Sequence, residues 1–397
     1  MAKHFKWVSC LSGPGSFTLR YASTKLFFGP NSVNRLAKFL EKHELVAVVT
    51  GRSSARVSGA LDDVLRILKE VGTEYFVVSG VPPNPWVSSA DEVAERVWRE
   101  GADAVIAVGG GSVIDTAKVA AVIVASGGRA VDYVTFRRRV KASLPLYAIN
   151  LTHGTGSEVD RYAVLTTDET REKRGASITY PVAGVDDPRY TVTLPQDHTI
   201  YTALDALYHA YEASTSKDLA SPYVTLISKD AVTRIREWLH VAVTEPRNLN
   251  ARGWLLYASM LAGIAIDASS THAVHGVEHA LSGINPKLPH GAGLAIVGPE
   301  LIKHTHKASP RNSAEVLKAL DPKLRPTPDD AEKAAEAVRE FQEAVGFNRK
   351  LSDYGFGRDD VKEALNLIFG PLKYLWDKVT PFKLSKELIR EVLEESL

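Results

Sequence analysis

The chain has 397 residues, enough for two or three domains with sizeable cores, and its 45% apolar and 24% charged content is that of an ordinary soluble globular protein. A net charge of +1 gives no attraction for nucleic acid or an anionic membrane, so neither is expected as a partner. The single cysteine, Cys10, excludes an intrachain disulfide framework and any cysteine-based zinc or iron–sulfur site.

The opening MAKHFKWVSCLSGPGSF lacks the apolar core of a signal peptide, and no apolar run approaches the ~20 residues of a membrane span. A cytoplasmic location is therefore the expectation. Scarce Cys, Met and Gln beside abundant charge point to a thermophilic source. From residue 26 to about 188, short apolar runs alternate with amphipathic stretches, which predicts a parallel, doubly wound α/β sheet covered on both faces. A helix is expected over 33–43, then the buried strand LVAVVT at 45–50. Gly51, Arg52, Ser53 and Ser54 turn into a helix carrying Leu61, Val64, Leu65 and Leu68. A strand follows at 74–78, then the loop VPPNPW containing Asn84, and a helix through Val93 and Val97. In such sheets ligands settle at the carboxyl ends of the strands.

The strand AVIAV at 104–108 runs into GGGSVIDTAK at 109–118. Gly109, Gly110 and Gly111 let the backbone approach a ligand closely, and the free amides opening the next helix favour a phosphate. Ser112 is placed to serve as helix cap and phosphate contact together. A plain strand-to-helix turn would look similar, and the spacing is not the G-x-G-x-x-G fingerprint. A second strand at 146–149 leads into THGTGSE, residues 152–158, another small, hydroxyl-rich loop. Two such loops after consecutive strands favour a bound dinucleotide.

Beyond Pro195 strands cease and helical periodicity persists, with helices expected at 223–239, 252–281, 329–345 and 384–397. The organisation is thus an α/β cofactor-binding domain over 1–195 and an all-helical domain over 196–397. Residues 308–327, with Pro310, Pro322, Pro326 and Pro328 in or beside them, read as a surface connection. Four of the twelve histidines fall between Thr271 and Gly291: His272, His275, His279 and His290. Taken singly, such a histidine is more often a structural residue than a ligand. Clustered, they look like half of a metal site, although one helix presents only one or two rings to a single ion. Asp205 and His209, four apart, point a carboxylate and an imidazole the same way and offer the other half. Spacing alone does not rank these candidates. Aspartate with several histidines suits Fe(II) or Zn(II). Metal candidates in the helical half and phosphate candidates in the α/β half predict a cleft site between them.

Taken together, Asn84–Pro85, GGGSVIDTAK, THGTGSE, Asp187–Pro188, DALYHAYEA at 205–213 and HGVEHALSG…PHG at 275–291 resemble the iron-containing, metal-dependent alcohol dehydrogenases over nearly the whole chain. The resemblance implies a dehydroquinate synthase-like architecture and a metal held by Asp205, His209, His275 and His290. It places His279 near nicotinamide and substrate as a proton relay and leaves His272 structural. It puts the pyrophosphate at Gly110, Gly111 and Ser112 with Asp115 nearby, and nicotinamide or ribose contacts at Thr152, Thr155 and Lys173. The implied reaction passes hydride between NAD(P) and a small alcohol, aldehyde or ketone, and a homo-oligomer is a reasonable form for such an enzyme. The sequence departs from the family at His153, where a small residue is common, so the ring either alters the cofactor pocket or points outward. It departs again at Gly51, where NAD users tend to carry an acid. Gly51, Arg52 and Ser53 leave room, charge and donors for a 2′-phosphate, which predicts NADP over NAD. A sugar-phosphate cyclase or polyol-phosphate dehydrogenase on this architecture would want extra basic residues for a substrate phosphate. A non-catalytic dinucleotide sensor would have little use for a full ligand set. Trp86, Phe136 and Trp254 are the aromatic candidates for lining the substrate.

Overall fold

The computed structural model describes residues 12–397 and divides them into two compact units. Cys10 and the start of the chain, on which the leader reading rests, lie outside the described residues.

The first unit comprises Ser12–Leu194 and Arg247–Leu256. Its strands are β1 (Phe17–Tyr21), β2 (Thr24–Phe28), β3 (Leu45–Gly51), β4 (Glu74–Val81), β5 (Ala104–Gly109), β6 (Leu146–Asn150), β7 (Tyr162–Thr166), β8 (Lys173–Ser177) and β9 (Ala183–Asp186). Seven form one sheet in the order β1-β2-β9-β6-β5-β3-β4, parallel throughout except for β1 against β2. Its helices are α1 (Ala37–Leu40), α2 (Ser54–Val57), α3 (Ala60–Val71), α4 (Val87–Glu100), α5 (Gly111–Ser126) and α6 (Ala130–Val134).

Successive strand residues serve opposite faces. Val46, Val48, Ile106 and Val108 join Leu61, Val64 and Leu68 of α3, whereas Ala47, Val49, Val105 and Ala107 join Val93 and Val97 of α4 and Ile114 and Ala117 of α5. Near-continuous apolar strands are what a doubly covered parallel sheet demands. Two features differ from the sequence reading. The expected helix at 33–43 is a 3-10 turn, Ser32–Leu36, followed by the single turn α1. The segment after β6 contains the antiparallel hairpin β7–β8, whose Ala163, Leu165 and Ala176 pack with Val119 and Tyr133 in a separate small core.

The second unit comprises Pro195–Pro246 and Tyr257–Leu397. Its helices are α7 (Gln196–Thr215), α8 (Pro222–Thr244), α9 (Leu249–Ala268), α10 (Ala273–Ile284), α11 (His290–Ala308), α12 (Pro310–Leu317), α13 (Ala331–Ala344), α14 (Arg358–Phe369) and α15 (Lys386–Glu395). The first eight residues of α9 belong to the α/β unit. α7 packs on α8 and α11, α11 on α13, and α10 on α11 and α14.

The single helix expected over 252–281 is broken between Ala268 and Ala273. Ser269, Ser270 and Thr271 supply side chains that compete for backbone partners: Ser269 donates to the Ala213 carbonyl and Ser270 to that of Thr271. Residues 308–327 are not purely a surface connection, because α12 lies inside them with Ser313, Ala314, Val316 and Leu317 buried. Pro310 stands in its first turn, where a missing N–H costs nothing. No helix among the described residues is long and apolar enough to cross a membrane.

Candidate metal centre and dinucleotide loops

α7 projects Asp205, His209 and Glu212 from one face, at spacings of four and three. α10 brings His275, Glu278 and His279, and His290 opens α11. One potential ligand atom from each of Asp205, His209, His275 and His290 lies within 4.8 Å of all the others. Asp205 Oδ1 is 3.4 Å from His209 Nδ1, 3.6 Å from His290 Nε2 and 3.8 Å from His275 Nε2. Asp205, His209 and His275 are buried, while His290 retains some exposure. Buried Asp205 Oδ1 and His275 Nε2 have no hydrogen-bond partner among the described residues, which is the state a cation would relieve. A carboxylate and imidazoles converging on one point make a donor set that fits Fe(II) or Zn(II).

Two carboxylates that the sequence reading missed stand behind this set. Glu212 accepts from His275 Nδ1 at 2.5 Å and from the backbone amides of Val274 at 2.6 Å and His275 at 3.3 Å. It therefore orients the His275 ring and caps the amino end of α10, where its negative charge also meets the helix dipole. The break before α10 makes this possible, since in a continuous helix those amides would be bonded four residues back. Glu278 accepts from His290 Nδ1 and from the Ser282 hydroxyl. With Nδ1 of each ring bonded to a carboxylate, His275 and His290 turn Nε2 toward Asp205. The available signal was positional: Glu212 is three residues from His209, and Glu278 is three from His275.

Burial opposes charge throughout the cluster, yet the Asp205 and Glu212 carboxylates push His275 up to about 9. Against the same burial, His209, His290 and His275 hold Asp205 down to about 2. Likewise, His272 and His275 hold Glu212 to about 2. Carboxylates and imidazoles in the cluster thus each favour the other's charged form. His272 is fully buried, with Nε2 3.0 Å from Thr215 Oγ1 and Nδ1 3.1 Å from Glu212, and stands outside the four-residue group. His279 also stands outside it, its ring 5.6 Å from His290 and 6.2 Å from His275, and groups instead with Glu278 and His290. Trp376, not anticipated, packs on the helix beside His275: a Cβ on Gly276 would lie 2.8 Å from its ring.

In the α/β unit, β5 passes through Gly109 and Gly110 directly into α5. The N-cap is Gly110, with extended backbone, not Ser112, which lies within the first turn of α5. The glycines are needed for close packing. A Cβ would stand 2.4 Å from Val113 at Gly109, 2.8 Å from Thr152 at Gly110 and 2.5 Å from Thr155 at Gly111. The structure therefore brings Gly110, Gly111, Thr152 and Thr155 together at the carboxyl ends of β5 and β6. Asp115 is buried beneath them. Its oxygens accept from the Ser157 hydroxyl at 2.6 Å and the Val164 amide at 2.9 Å, and burial, resisted by Lys118, raises its carboxyl. Lys118 donates to Ser157, Asp160 and the Tyr162 carbonyl, so this network braces the loop from below. Lys173 is buried on β8.

Gly51, Arg52 and Ser53 line a cavity of about 210 Å³ with Thr50, Ala55, Arg56 and Ser79. Arg56, one helical turn beyond Arg52, was not singled out from the sequence. Asn84 holds a left-handed backbone (φ 47°) in the loop before α4. His153 does not point outward: its ring is fully buried and its Nε2 lies 3.2 Å from Arg252 Nη1. Burial and the Arg252 charge depress it to about 3, so it is neutral. Among the proposed aromatic linings, the Trp254 indole donates to the Ser12 carbonyl, Trp86 bridges to Thr166, and Phe136 is exposed beneath Arg174.

Comparison with known proteins gives a consistent picture. Residues 23–188 match the family described as iron-containing alcohol dehydrogenase, and residues 199–397 match the Fe-containing alcohol dehydrogenase family, C-terminal. The long-chain primary alcohol dehydrogenase of Thermoanaerobacter ethanolicus is 38% identical over 91% of this chain and 92% of its own. The probable NADH-dependent butanol dehydrogenase 1 of Bacillus subtilis is 30% identical over 94% of this chain and 98% of its own. Among solved structures, an archaeal halo-thermophilic alcohol dehydrogenase from a Red Sea brine pool superposes with a TM-score of 0.88 at 25% identity, covering all of both chains. The NADH-dependent butanol dehydrogenase A of Thermotoga maritima gives 0.87 at 27% identity, over 97% of this chain and all of that one.

Proposed function

Because the chain belongs to the iron-containing alcohol dehydrogenase family, we propose that Asp205, His209, His275 and His290 hold the divalent metal with which this alcohol dehydrogenase interconverts an alcohol and its aldehyde or ketone. The observation that carries the reading is the convergence of those four ligand atoms, with Glu212 and Glu278 fixing two of the imidazoles from behind. When bound, the metal supplies Lewis acidity to the substrate oxygen and the nicotinamide supplies the hydride acceptor. The protein's own part is to hold the ligand atoms, fix the dinucleotide and move a proton. His279, beside His290 but outside the four-ligand group, is placed to take the alcohol proton. Replacing it with Asn is expected to lower kcat by roughly 100-fold with metal content unchanged. Loss of metal would instead make His279 a ligand. Names among the relatives, for long-chain primary alcohols and butanol, favour primary alcohols as substrates.

The cofactor is a nicotinamide dinucleotide, and the side chains around Gly51 favour the phosphorylated form. Arg52 and Arg56 beside Ser53 offer two guanidinium groups and a hydroxyl where an acid would repel a 2′-phosphate. Relatives named for NADH are the opposing precedent. Arg52→Ala is expected to lower kcat/KM with NADPH by about 10- to 100-fold, the worth of one charge-assisted bond, while sparing NADH. Equal losses with both cofactors would remove Arg52 from 2′-phosphate recognition. The reading as a whole is tested by reconstituting the metal-free protein with Fe(II) or Zn(II) and following NADPH and NADH absorbance across a panel of aldehydes and ketones. Oxidation of neither cofactor with any substrate would reject it.

A further inference from the structure

We propose that Arg252 and His153 form a buried strut that fixes the 152–156 loop against the glycine loop, which makes both positioning residues for the dinucleotide. The inference rests on the dinucleotide reading of those loops. Arg252 lies in the first turn of α9, in the part that belongs to the α/β unit, and is fully buried. Asn248 Oδ1 secures that turn by accepting from the amides of Asn250 and Ala251.

A guanidinium only donates, so His153 accepts through Nε2 as a neutral imidazole in one tautomer. The ring therefore has a fixed orientation, and the loop backbone that carries it is held with it. Its neighbours are pegged separately. At one end, the amide and hydroxyl of Thr152 lie 3.1 and 3.3 Å from Asn150 Oδ1. At the other, the Ser157 amide donates to Thr155 Oγ1, and the Ser157 hydroxyl to Asp115. The middle of the loop is held by Arg252. Thr152 and Thr155 are the side chains that would collide with any Cβ on Gly110 or Gly111. A displacement of His153 is thus passed directly to the surface where the pyrophosphate is expected.

Two apolar side chains of similar volume would fill the same space, but they would lack a directional bond to the loop.

The test uses the full-length, metal-loaded protein, with NADPH and NADH binding followed by nicotinamide fluorescence, kcat at saturating cofactor, and metal content. His153→Ala is expected to weaken binding of the preferred cofactor about tenfold while kcat at saturation and metal content stay within about twofold. His153→Gln, whose amide oxygen can accept from Arg252, should recover most of the affinity. If His153→Ala does not fold, Arg252→Lys, which keeps a cation but shortens its reach, reads the same split between affinity and turnover. Unchanged affinity, equal behaviour of the Ala and Gln variants, or a loss confined to kcat would overturn the strut. A parent protein that binds neither cofactor would overturn the dinucleotide reading and the strut with it.

Discussion

Glu212→Ala is expected to weaken Zn(II) or Fe(II) binding to the metal-free protein by about 10- to 100-fold, although Glu212 is not itself among the four proposed ligands. The side chain is fully buried and has several simultaneous tasks: it holds His275 Nδ1, accepts two amides at the start of α10, and lies 3.1 Å from His272 Nδ1. Alanine leaves the ring free to rotate or change tautomer, so Nε2 is no longer committed to the metal point. It also strands two buried amides, each at a cost of about 1–3 kcal/mol, so the metal-free protein melts at a lower temperature as well. Competitive chelation titration separates these effects from turnover. Glu212→Gln keeps the shape and one acceptor oxygen and should fall between parent and Ala, whereas a simple packing role would leave Gln and parent alike in metal affinity. His275→Ala sets the upper bound, with loss of bound metal and of activity together. Retention of both would remove His275 from the site.

The parts of the fold that were legible in the sequence are those where one periodic signal decides the matter. LVAVVT and AVIAV read as strands buried on both faces, and Val46 and Ala47 do serve opposite cores. The β7–β8 hairpin was not legible, because YAVLT is a short, almost wholly apolar run and KRGAS a short, mostly polar one, neither alternating, and their small core is built largely from α5 and α6. Across residues 252–281 the apolar periodicity continues through Ser269–Ser270–Thr271, so the helix looks unbroken. Only the distant Glu212 carboxylate reveals why the chain restarts at Ala273. The same limit applied at the candidate metal site. Spacing places Asp205 with His209, but which histidines converge on them depends on how α10 and α11 cross α7. His153 shows it again: the loop's composition suggested proximity to a cofactor, while the residue that immobilises the ring lies 99 positions away.

Gly291→Ala is expected to have a comparably large effect by moving a ligand instead of releasing one. A Cβ at Gly291 would stand 1.9 Å from the Tyr201 carbonyl oxygen and 2.6 Å from its carbon, whereas real Cβ atoms essentially never come closer than 3.0 Å. The obstacle is backbone, so no side-chain rotation relieves it, and α11 must retreat from α7 by roughly 1 Å. Tyr201 lies one helical turn before Asp205, and Gly291 directly follows His290. The contact therefore sets the spacing between two proposed ligands whose atoms are 3.6 Å apart. A metal tolerates deviations of about 0.2 Å in its bond lengths, so a shift of that size would remove His290 from the proposed ligand set. Gly298, one heptad further along α11, supplies the control. Its Cβ would meet the ring of buried Tyr208 at 2.2 Å, whose hydroxyl accepts from Gln342 at 2.8 Å, so the obstacle there is a side chain and not backbone. Gly298→Ala should lower the melting temperature with little change in metal affinity, and Gly291→Ala should lower both. Parent-like metal affinity in Gly291→Ala would show that His290 is positioned by Glu278 alone, with no help from the helix crossing.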